Sequence, residues 1–435
     1  MSKIAIIGTG ISAFGAANQL AGEKLDVTLY DKNSFHAGHT VSLKYKEGFT
    51  FDIGPHVSFT SDERIQKILA EAVDGEYDTH DYKFNNYWKC AWLGHPAQTN
   101  LYGLPPEVIV NVITDFVEQG SRQVDIKNYE DWLLAAYGKT FAEQFPGQYT
   151  FKYHTTPASN LTTDWMGPRM YRPKLEEMLY GALSAETPNV HYIQKFRYPR
   201  QGGFEAYLTK WARASHLELN HQVERIDPKM RTLSFKNGKI TKYDALISSV
   251  PLPELVKLIV GTPANVAAAA ARLACSACVL VNIGISRDDF ANTHIDYFYD
   301  LDIVFPRTSY PHMMAKSNAP PGCGSIQVEV YFSPKYRPFT GKAEDYIEPV
   351  LRDLKRCGVI EESDQILLKE AVYIPYANII FDHDRTEALK IVRDYLDDIG
   401  IETCGRYGEW GYFWTDDSIK SGEGAAQRTL ARLGG

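Results

Sequence analysis

The feature that most constrains the fold is a glycine-rich turn close to the N-terminus, in the stretch KIAIIGTGISAFGAANQL. The apolar run at residues 3–7 is typical of a buried strand, and the small residues after the turn are typical of a closely packed helix. A second strand is predicted at residues 25–31. The stretch therefore predicts a β-α-β unit whose first turn can bind a dinucleotide.

The loop has the spacing Gly8-x-Gly10-x-x-Ala13. Gly8 permits the tight turn, Gly10 lets the backbone approach a pyrophosphate, and Ala13 is small enough for the helix to pack on the strand. Amide groups at the N-terminus of that helix favour negative charge. The loop alone would equally suit a structural turn, but Asp31 ends the second strand, where a carboxylate accepts hydrogen bonds from a ribose.

Three later segments favour a flavin over a nicotinamide cofactor. Gly38 opens a second glycine turn, GHT, close to the same phosphates, and FDIGPH at 51–56 would bring backbone close to a flat ring system. The C-terminal GRYGEWGYFWTDDSI is another loop that leads into a helix, which suits a second phosphate or ribityl contact. We therefore predict FAD as the cofactor.

Composition excludes several classes of protein. The chain of 435 residues is 44% hydrophobic and 23% charged, which is typical of a globular protein with two or three domains. The net charge of −8 gives no basic field for nucleic acid, and no apolar run approaches the length of a membrane span, so we expect a cytoplasmic protein. Six scattered cysteines favour reduced thiols. Cys275-x-x-Cys278 lies in an apolar run and is interpreted as two core cysteines, and no metal site is predicted.

The order of the predicted elements indicates an α/β fold, with an FAD-binding Rossmann-like domain and an interleaved α+β substrate domain that contains a helical insertion. Residues 1–75, 195–260 and 390–435 are expected to form the discontinuous FAD-binding domain. Residues 76–194 are expected to be a largely helical substrate or cap region, and residues 261–389 a substrate domain with an antiparallel sheet.

Several segments together resemble one superfamily. These are the first glycine loop, AGHT, FDIGPHVSFTSDERI, HPAQTNLYGLP, YPRQGGFEAYL, ISSVPLPEL and GRYGEWGYFWTDDSI. They resemble flavin-dependent amine oxidases, protoporphyrinogen-oxidase-like proteins and UDP-galactopyranose mutases over most of the chain. Two departures are that AGHT replaces the more usual pair of glycines, and that Asp31 stands where glutamate is commoner.

The resemblance implies which residues contact the cofactor. The first loop would face the pyrophosphate and Asp31 the adenosine ribose, Val223 would contact the adenine through its backbone, and Arg406 with Asp416 would lie at the flavin end. The full predicted set is Gly8, Gly10, Ser12, Ala13, Asp31, Lys32, Gly38, His39, Thr40, Gly54, Pro55, His56, Val223, Gly405, Arg406, Asp416, Ser418 and Ile419.

The superfamily supports two chemistries. An oxidase transfers a hydride from a substrate carbon to the flavin N5, and the protein orients the substrate and excludes water. A mutase uses the reduced flavin as a nucleophile at an anomeric carbon. We expect an FAD-dependent oxidoreductase acting on a small metabolite such as a sugar or nucleotide sugar. A nucleotide-sugar mutase and a non-catalytic FAD-binding subunit are the alternatives, and the oligomeric state is left open.

Four residues are the candidate catalytic groups: His56 near the flavin face, Arg169 and Arg307 as binders of a diphosphate, and Tyr376 as a wall for a sugar or aromatic substrate. A guanidinium fork matches phosphate oxygens, which also makes Arg172 a candidate. Each candidate also has a purely structural interpretation. The histidine can be a turn residue bonded to backbone, the arginines can form salt bridges at the surface, and the tyrosine can be packed in the protein. Tyr331 and Tyr373 are further candidates to line a sugar or aromatic substrate, with the same alternative as Tyr376.

Two segments bear on the choice between the chemistries. The segment YTFKYH places His154 where the mutases carry a tryptophan, which argues against a mutase. The aromatic residues between 77 and 102 predict either a wall over the flavin or the core of a hairpin.

Overall fold

Five sheets and the helices packed on them make up the computed structural model, which describes residues 1–120, 125–188 and 190–434. The strands are β1 (Ser2–Ile7), β2 (Leu25–Tyr30), β3 (Ser42–Lys44), β4 (Thr50–Asp52), β5 (Tyr77–Asp81), β6 (Phe84–Trp88), β7 (Ala91–Gly94), β8 (Lys195–Pro199), β9 (Leu217–Glu218), β10 (Val223–Asp227), β11 (Thr232–Phe235), β12 (Ile240–Lys242), β13 (Ala245–Ser248), β14 (Ala277–Ile285), β15 (Ile295–Phe298), β16 (Arg307–Ser309), β17 (Gly324–Phe332), β18 (Ile366–Ile374) and β19 (Ile401–Thr403).

The α-helices range from single turns to a long C-terminal helix. They are α1 (Ile11–Leu20), α2 (Glu63–Ala72), α3 (Pro106–Gly120), α4 (Tyr129–Tyr137), α5 (Lys139–Ala142), α6 (Gln148–His154), α7 (Leu175–Leu183), α8 (Ala206–Ala214), α9 (Leu252–Leu258), α10 (Ala264–Arg272), α11 (Pro311–Met314), α12 (Ile347–Arg356), α13 (Arg385–Asp398), α14 (Gly405–Gly408) and α15 (Thr415–Gly434). Within the described ranges, none of the helices has the length and apolar character needed to cross a bilayer.

A parallel sheet in the order β19-β13-β1-β2-β9 holds the N-terminal unit. Ile4 and Ile6 of β1 are buried, and β1 pairs with β2 on one side and β13 on the other. Burial on both faces explains the continuous apolar run of β1. The predicted β-α-β unit and the α/β fold class with its Rossmann-like domain are confirmed.

Helices α1 and α15 contact each other through their backbones. A Cβ atom added to Gly422 would lie 1.9 Å from the carbonyl oxygen of Ser12, and one added to Gly15 would lie 2.6 Å from the carbonyl oxygen of Ile419. Only glycine allows two helices to approach so closely. The contact places the C-terminal helix directly against the helix that follows the first glycine loop.

A seven-stranded sheet in the order β18-β14-β17-β16-β15-β6-β7 forms the second layer. Strands β14 and β17 are buried along their whole length and pair antiparallel. The sheet also includes β6 and β7 from residues 84–94, which lie in the region expected to be largely helical. Tyr87 and Trp88 of this hairpin are buried, so the hairpin-core interpretation of the aromatic segment is the one observed there.

The helical prediction applies to residues 106–183, where α3 to α7 lie. Residues 217–227 form two short strands, with β9 ending at Glu218 and β10 beginning at Val223. Asn220 has a φ of 56°, and the N–H of His221 donates to the carbonyl of Asp31, which turns the chain between the two strands. The domain boundaries themselves stay a prediction.

The α1–α15 contact predicts that Gly422→Ala destabilises the protein. The added methyl group meets backbone that cannot move aside, and such overpacking typically costs about 1–3 kcal/mol. Urea unfolding should show a lower midpoint. Gly424→Ala on the same helix is the matched control, because its Cβ would meet only the tip of the Arg428 side chain at 3.4 Å. Equal midpoints for the two variants would contradict the proposed contact.

Candidate functional site

The first glycine loop forms a cradle at the carboxyl end of β1. Gly8 has a φ of 109°, in the left-handed region, and its N–H donates to the carbonyl of Tyr30. Gly10 is the N-cap of α1, and no side chain caps the first turn of that helix. Ser12 and Ala13 in this turn are buried. The cradle thus directs helix amides towards a site that suits an anionic group.

The second glycine turn lies against the first. The N–H of Ala37 donates to the carbonyl of Thr9 at 2.9 Å. Gly38 has a φ of 55°, and a Cβ there would be 3.1 Å from the Cα of Gly10. Thr40 closes the turn by donating from Oγ1 to the carbonyl of Ala37. The structure therefore brings together the two glycine turns that the sequence predicted as neighbours.

Asp31 binds the first loop from the end of β2. Its Oδ2 accepts hydrogen bonds from the backbone N–H and the hydroxyl of Thr9, at 3.0 and 2.7 Å, and its Oδ1 accepts from the N–H of Asn33. The carboxylate thus stabilises the conformation of the loop, and its contact with a ribose stays a prediction. Lys32 beside it is exposed, and Val223 is buried where β10 begins.

The C-terminal segment reaches the same cradle. Gly405 has a φ of 79°, and a Cβ there would lie 2.4 Å from the hydroxyl oxygen of Ser12. Ser418 and Ile419 are buried on α15, and Asp416 lies in the first turn of that helix. The two ends of the chain therefore meet at one site.

Two histidines from different loops lie in the field of one arginine. The Nε2 of His39 donates to the carbonyl of Tyr376 at 2.8 Å, and the Nδ1 of His56 donates to the carbonyl of Gly54 at 2.9 Å. Burial lowers the pKa of each imidazole to about 4, and the charge of Arg406 adds to the effect. Both rings are neutral at pH 7, and each retains one nitrogen that can accept a hydrogen bond.

Arg406 organises the loop that follows α14. Its Nε donates to the carbonyl of Phe413 at 2.8 Å, and its Nη1 lies 3.3 Å from the Oδ1 of Asn378. The guanidinium also lies 5.2 Å from the ring centre of Tyr412. Its placement at the flavin end stays a prediction, although it shares that region with both histidines.

Arg307 and Glu329 form an ion pair beside the loop that carries His56. They stand directly opposite each other on β16 and β17, and the Nε and Nη2 of Arg307 both donate to the carboxylate. The side chain of Glu329 is only 4% exposed. A Cβ at Gly54 would be 3.7 Å from its Oε1. The pair therefore joins the second sheet to the predicted flavin-facing loop.

Tyrosine side chains surround this ion pair, and we call them the tyrosine cluster. Its members are Tyr149, Tyr153, Tyr297, Tyr331 and Tyr412. The guanidinium of Arg307 lies 5.6 Å from the ring centre of Tyr153, and Tyr149 stacks on Tyr153 at 5.3 Å. The hydroxyls of Tyr153 and Tyr412 are 3.4 Å apart. Burial raises the pKa of Tyr297 to about 12, so the phenol there is neutral.

The other two candidate arginines are also engaged by the protein. The Nη1 and Nη2 of Arg169 donate to the carbonyls of Trp165 and Tyr412, and its guanidinium lies 4.0 Å from the ring centre of Trp414. Its Nε is buried without a partner. Arg172 is exposed and donates to the carbonyl of Ala135. Both terminal nitrogens of Arg169 are thus engaged, whereas Arg172 makes one hydrogen bond, through Nη2.

Tyr376 lies behind His39, outside the tyrosine cluster, and its contact with a substrate stays a prediction. Its hydroxyl donates to the Oε1 of Glu254 at 2.7 Å, and its carbonyl accepts from His39 and from the hydroxyl of Tyr407. A hydroxyl that donates to a carboxylate cannot at the same time donate to a substrate. Tyr373 is 37% exposed, and its ring stacks on Phe339 instead.

Sequence reasoning missed the carboxylate that neutralises Arg307. The available signal was Glu329 itself, the single charged residue in the run GSIQVEVYF of β17, because a buried charge requires a partner. His154 is buried between the rings of Tyr153 and Trp165, and its Nδ1 has no partner. Both cysteines of the Cys275-x-x-Cys278 motif are free thiols in the core.

The chain is similar to several known proteins. A family model described as an NAD(P)-binding Rossmann-like domain matches residues 6–72. The 4,4'-diapophytoene desaturase (4,4'-diaponeurosporene-forming) of Staphylococcus aureus strain Newman is 25% identical to this chain, over 86% of this chain and 85% of the relative.

Solved structures extend the match to nearly the whole chain. A reduced UDP-galactopyranose mutase superposes with a TM-score of 0.93 at 24% identity, covering 99% of this chain and 96% of the mutase. The chain has the fold of the amine-oxidase-like superfamily. A putrescine oxidase bound to putrescine also superposes, with a TM-score of 0.68 at 14% identity over 99% of both chains. The predicted resemblance is confirmed, and the predictions of an oxidoreductase and of FAD agree with these relatives.

The two neutral histidines predict a loss of stability in mild acid. Their pKa values are depressed on folding from 6.5 to about 4, so the unfolded chain binds protons that the folded chain excludes. Their contribution is complete above pH 6.5 and is lost as the pH falls through 4. Each histidine contributes up to about 3 kcal/mol to the loss of unfolding free energy over this pH range.

Urea unfolding at pH 7 and pH 4.5 measures the effect. His39→Gln retains a donor at the Nε2 position and His56→Asn one at the Nδ1 position, and each should reduce the loss of unfolding free energy between the two pH values. His383→Gln, at an exposed position, is the control. An unchanged loss in both site variants would contradict the burial of neutral imidazoles.

Proposed function

We propose that this chain is an FAD-dependent oxidoreductase that takes a hydride from a small metabolite. The observation that carries the proposal is the convergence of four separate segments on one site. The loops that begin at Gly8, Gly38, Gly54 and Gly405 approach one another or the same partner residues. Two neutral histidines, His39 and His56, and the ion pair of Arg307 with Glu329 lie beside them.

The residues present fit the dinucleotide part of FAD. The first turn of α1 has no side-chain cap and no acidic residue, so its amides are available to a pyrophosphate. All four of these glycines have positive φ values, and a Cβ at Gly38 or Gly405 would crowd the first loop or α1. When bound, FAD would supply the hydride acceptor, which no side chain can replace.

The histidines are suited to binding rather than to proton transfer. A base with a pKa of about 4 is weak at neutral pH, because the best general bases titrate near the working pH. Through its free ring nitrogen, His56 can accept a hydrogen bond and hold a polar edge in place. His39 can do the same on the side that faces Arg406.

The tyrosine cluster is suited to orienting a neutral substrate and excluding water. Arg307 has its charge balanced by Glu329, so the cluster offers ring faces and hydroxyl groups rather than a net charge. Hydride abstraction leaves positive charge on the substrate carbon, and the face of an aromatic ring stabilises a cation. This arrangement supports oxidation more directly than it supports binding of a diphosphate.

A second candidate is a nucleotide-sugar mutase, which the superposition with UDP-galactopyranose mutase favours. Against it stand Arg307 and Arg169, since the first is paired with a carboxylate and the second donates to two backbone carbonyls. A mutase function would require one of them to exchange partners when substrate binds, or would bind the diphosphate through the exposed Arg172.

Flavin absorbance separates the candidates. The purified protein, reconstituted with FAD, is mixed anaerobically with diapophytoene, putrescine, protoporphyrinogen and UDP-sugars in turn. Bleaching of the oxidised flavin by one of the substrates supports the oxidoreductase. Turnover of a UDP-sugar only after reduction with dithionite would identify the mutase instead, and failure to retain FAD would exclude both functions.

Gly10→Leu should abolish retention of FAD while leaving the protein folded. A Cβ at this position would be 3.9 Å from the nearest atom of the surrounding structure, the carbonyl oxygen of Ala37, so the longer side chain extends into the cradle rather than into the core. Gly120→Leu, at a position with open space around it, is the control. Flavin content after desalting and the far-ultraviolet circular dichroism spectrum are the two measurements. A yellow Gly10→Leu protein would show that the pyrophosphate lies elsewhere.

A further inference from the structure

A pocket of about 250 Å³ lies between the two-stranded sheet of β5 and β8 and the segment that leads into α2. Phe59 and Phe196 supply its apolar lining. Two of its polar residues are cations and none is an acid; the polar lining is Ser58, Thr60, Gln66, Thr79, Lys195 and Arg197. We call this the ribbon pocket. None of its residues belongs to the predicted cofactor set or to the tyrosine cluster, so it is separate from the candidate site.

The register of the two strands places both cations on one face. Thr79 of β5 stands directly opposite Arg197 of β8, and Lys195 lies two positions before Arg197 on the same strand. Side chains of opposite residues, and of residues two apart, share a face of a sheet. The backbone of Arg197 also exchanges two hydrogen bonds with that of Ser58, at 2.7 and 3.1 Å. The loop before α2 is therefore fixed beside the two cations.

A neutral side chain holds the guanidinium of Arg197 in place. Its Nη2 donates to the Oε1 of Gln66 at 3.0 Å, and the Nε2 of Gln66 donates to the carbonyl of Thr60 at 2.6 Å. The guanidinium also lies 5.6 Å from the ring centre of Tyr77. Because Gln66 is neutral, this contact leaves the charge of Arg197 uncompensated. A guanidinium has five N–H groups and the bond to Gln66 uses one, so the oriented fork can still donate to an anion.

The other polar groups of the ribbon pocket can donate as well. The Oγ1 of Thr60 accepts from the N–H of Asp62 at 3.2 Å, which leaves the hydroxyl proton for another acceptor. The Nζ of Lys195 lies 3.7 Å from the Oδ1 of Asp81, and these two side chains are 70% and 77% exposed. So exposed an ion pair contributes little, so a multiply charged anion can replace Asp81 beside the lysine.

We propose that the ribbon pocket binds a phosphate monoester of the size of a sugar phosphate. The fork of Arg197, the ammonium group of Lys195 and the hydroxyl of Thr60 donate to the phosphate oxygens. The two phenylalanine rings contact the organic group of the ester.

The size of the pocket and its apolar lining select the ligand class. Pockets for drug-sized ligands typically measure about 300–1,000 Å³, and the ribbon pocket lies just below that range. It therefore suits a monosaccharide phosphate better than a nucleotide. Inorganic phosphate would meet the same donors but would leave the rings of Phe59 and Phe196 uncovered, so we expect the ester to bind more tightly.

Isothermal titration calorimetry of the full chain, reconstituted with FAD, tests the proposal. Glucose 6-phosphate should bind at one site, inorganic phosphate should bind there more weakly, and glucose should not bind. Arg197→Gln should raise the Kd for glucose 6-phosphate by about tenfold or more, because it removes the hydrogen bonds of a charged donor. Arg197→Lys retains the charge but not the fork, so its Kd should lie between those of the wild-type chain and Arg197→Gln.

Arg200→Gln is the matched control, because it removes the same charge next to β8. Arg200 lies outside the pocket lining and already donates to the carboxylates of Asp78 and Glu76. Its Kd should equal that of the wild-type chain. An equal loss of affinity in Arg197→Gln and Arg200→Gln would overturn the proposal, since it would indicate only general attraction of an anion. Absence of binding, or equal affinities for inorganic phosphate and the ester, would also overturn it.

The variant Gly10→Leu separates this proposal from the proposed function. It should lose FAD and still bind glucose 6-phosphate with an unchanged Kd, because the ribbon pocket shares no residue with the cradle. Loss of the ester together with FAD would place the ester in the cradle and overturn the proposal. A wild-type chain that binds the ester but retains no FAD would support the ribbon pocket and exclude the proposed function alone.

Discussion

The candidate site depends on the close backbone contact between α1 and α15. Gly422 of α15 lies against the backbone of Ser12, and Gly405 lies against its hydroxyl. The same first turn of α1 supplies the uncapped amides of the cradle. Because the two helices belong to opposite ends of the chain, the cradle is completed only when the C-terminal segment has returned to the N-terminal unit. Everything between them must therefore be accommodated as an insertion.

The insertions provide the second wall of the site. The parallel sheet takes its strands from three separate stretches of the chain, and the seven-stranded sheet takes its strands from two of the intervening ones. Glu329 of the second sheet lies beside Gly54, which follows a hairpin of the N-terminal unit. A substrate bound between the sheets would thus be enclosed by residues that no single local segment could supply.

The sequence indicates the cradle well and its surroundings poorly, for a physical reason. Gly8, Gly10 and Gly38 are required by their own backbone conformation or by close approach, and that requirement is visible in the residue type. The pairing of Arg307 with Glu329 depends on the register of two strands, and the direction of Tyr376 depends on Glu254. Such non-local choices leave only indirect signals, such as the single charged residue of β17.

The electrostatics of the site bear on its chemistry more directly than the fold does. Superposition on a mutase and on a putrescine oxidase shows that one fold accommodates proteins with different names and substrates. In this chain, burial removes the charge of His39 and His56 at neutral pH, and Glu329 balances Arg307. A guanidinium that is already paired with a carboxylate offsets little of the cost of removing a diphosphate from water. The same site binds a neutral substrate without that cost, and its aromatic faces stabilise the positive charge that hydride loss creates.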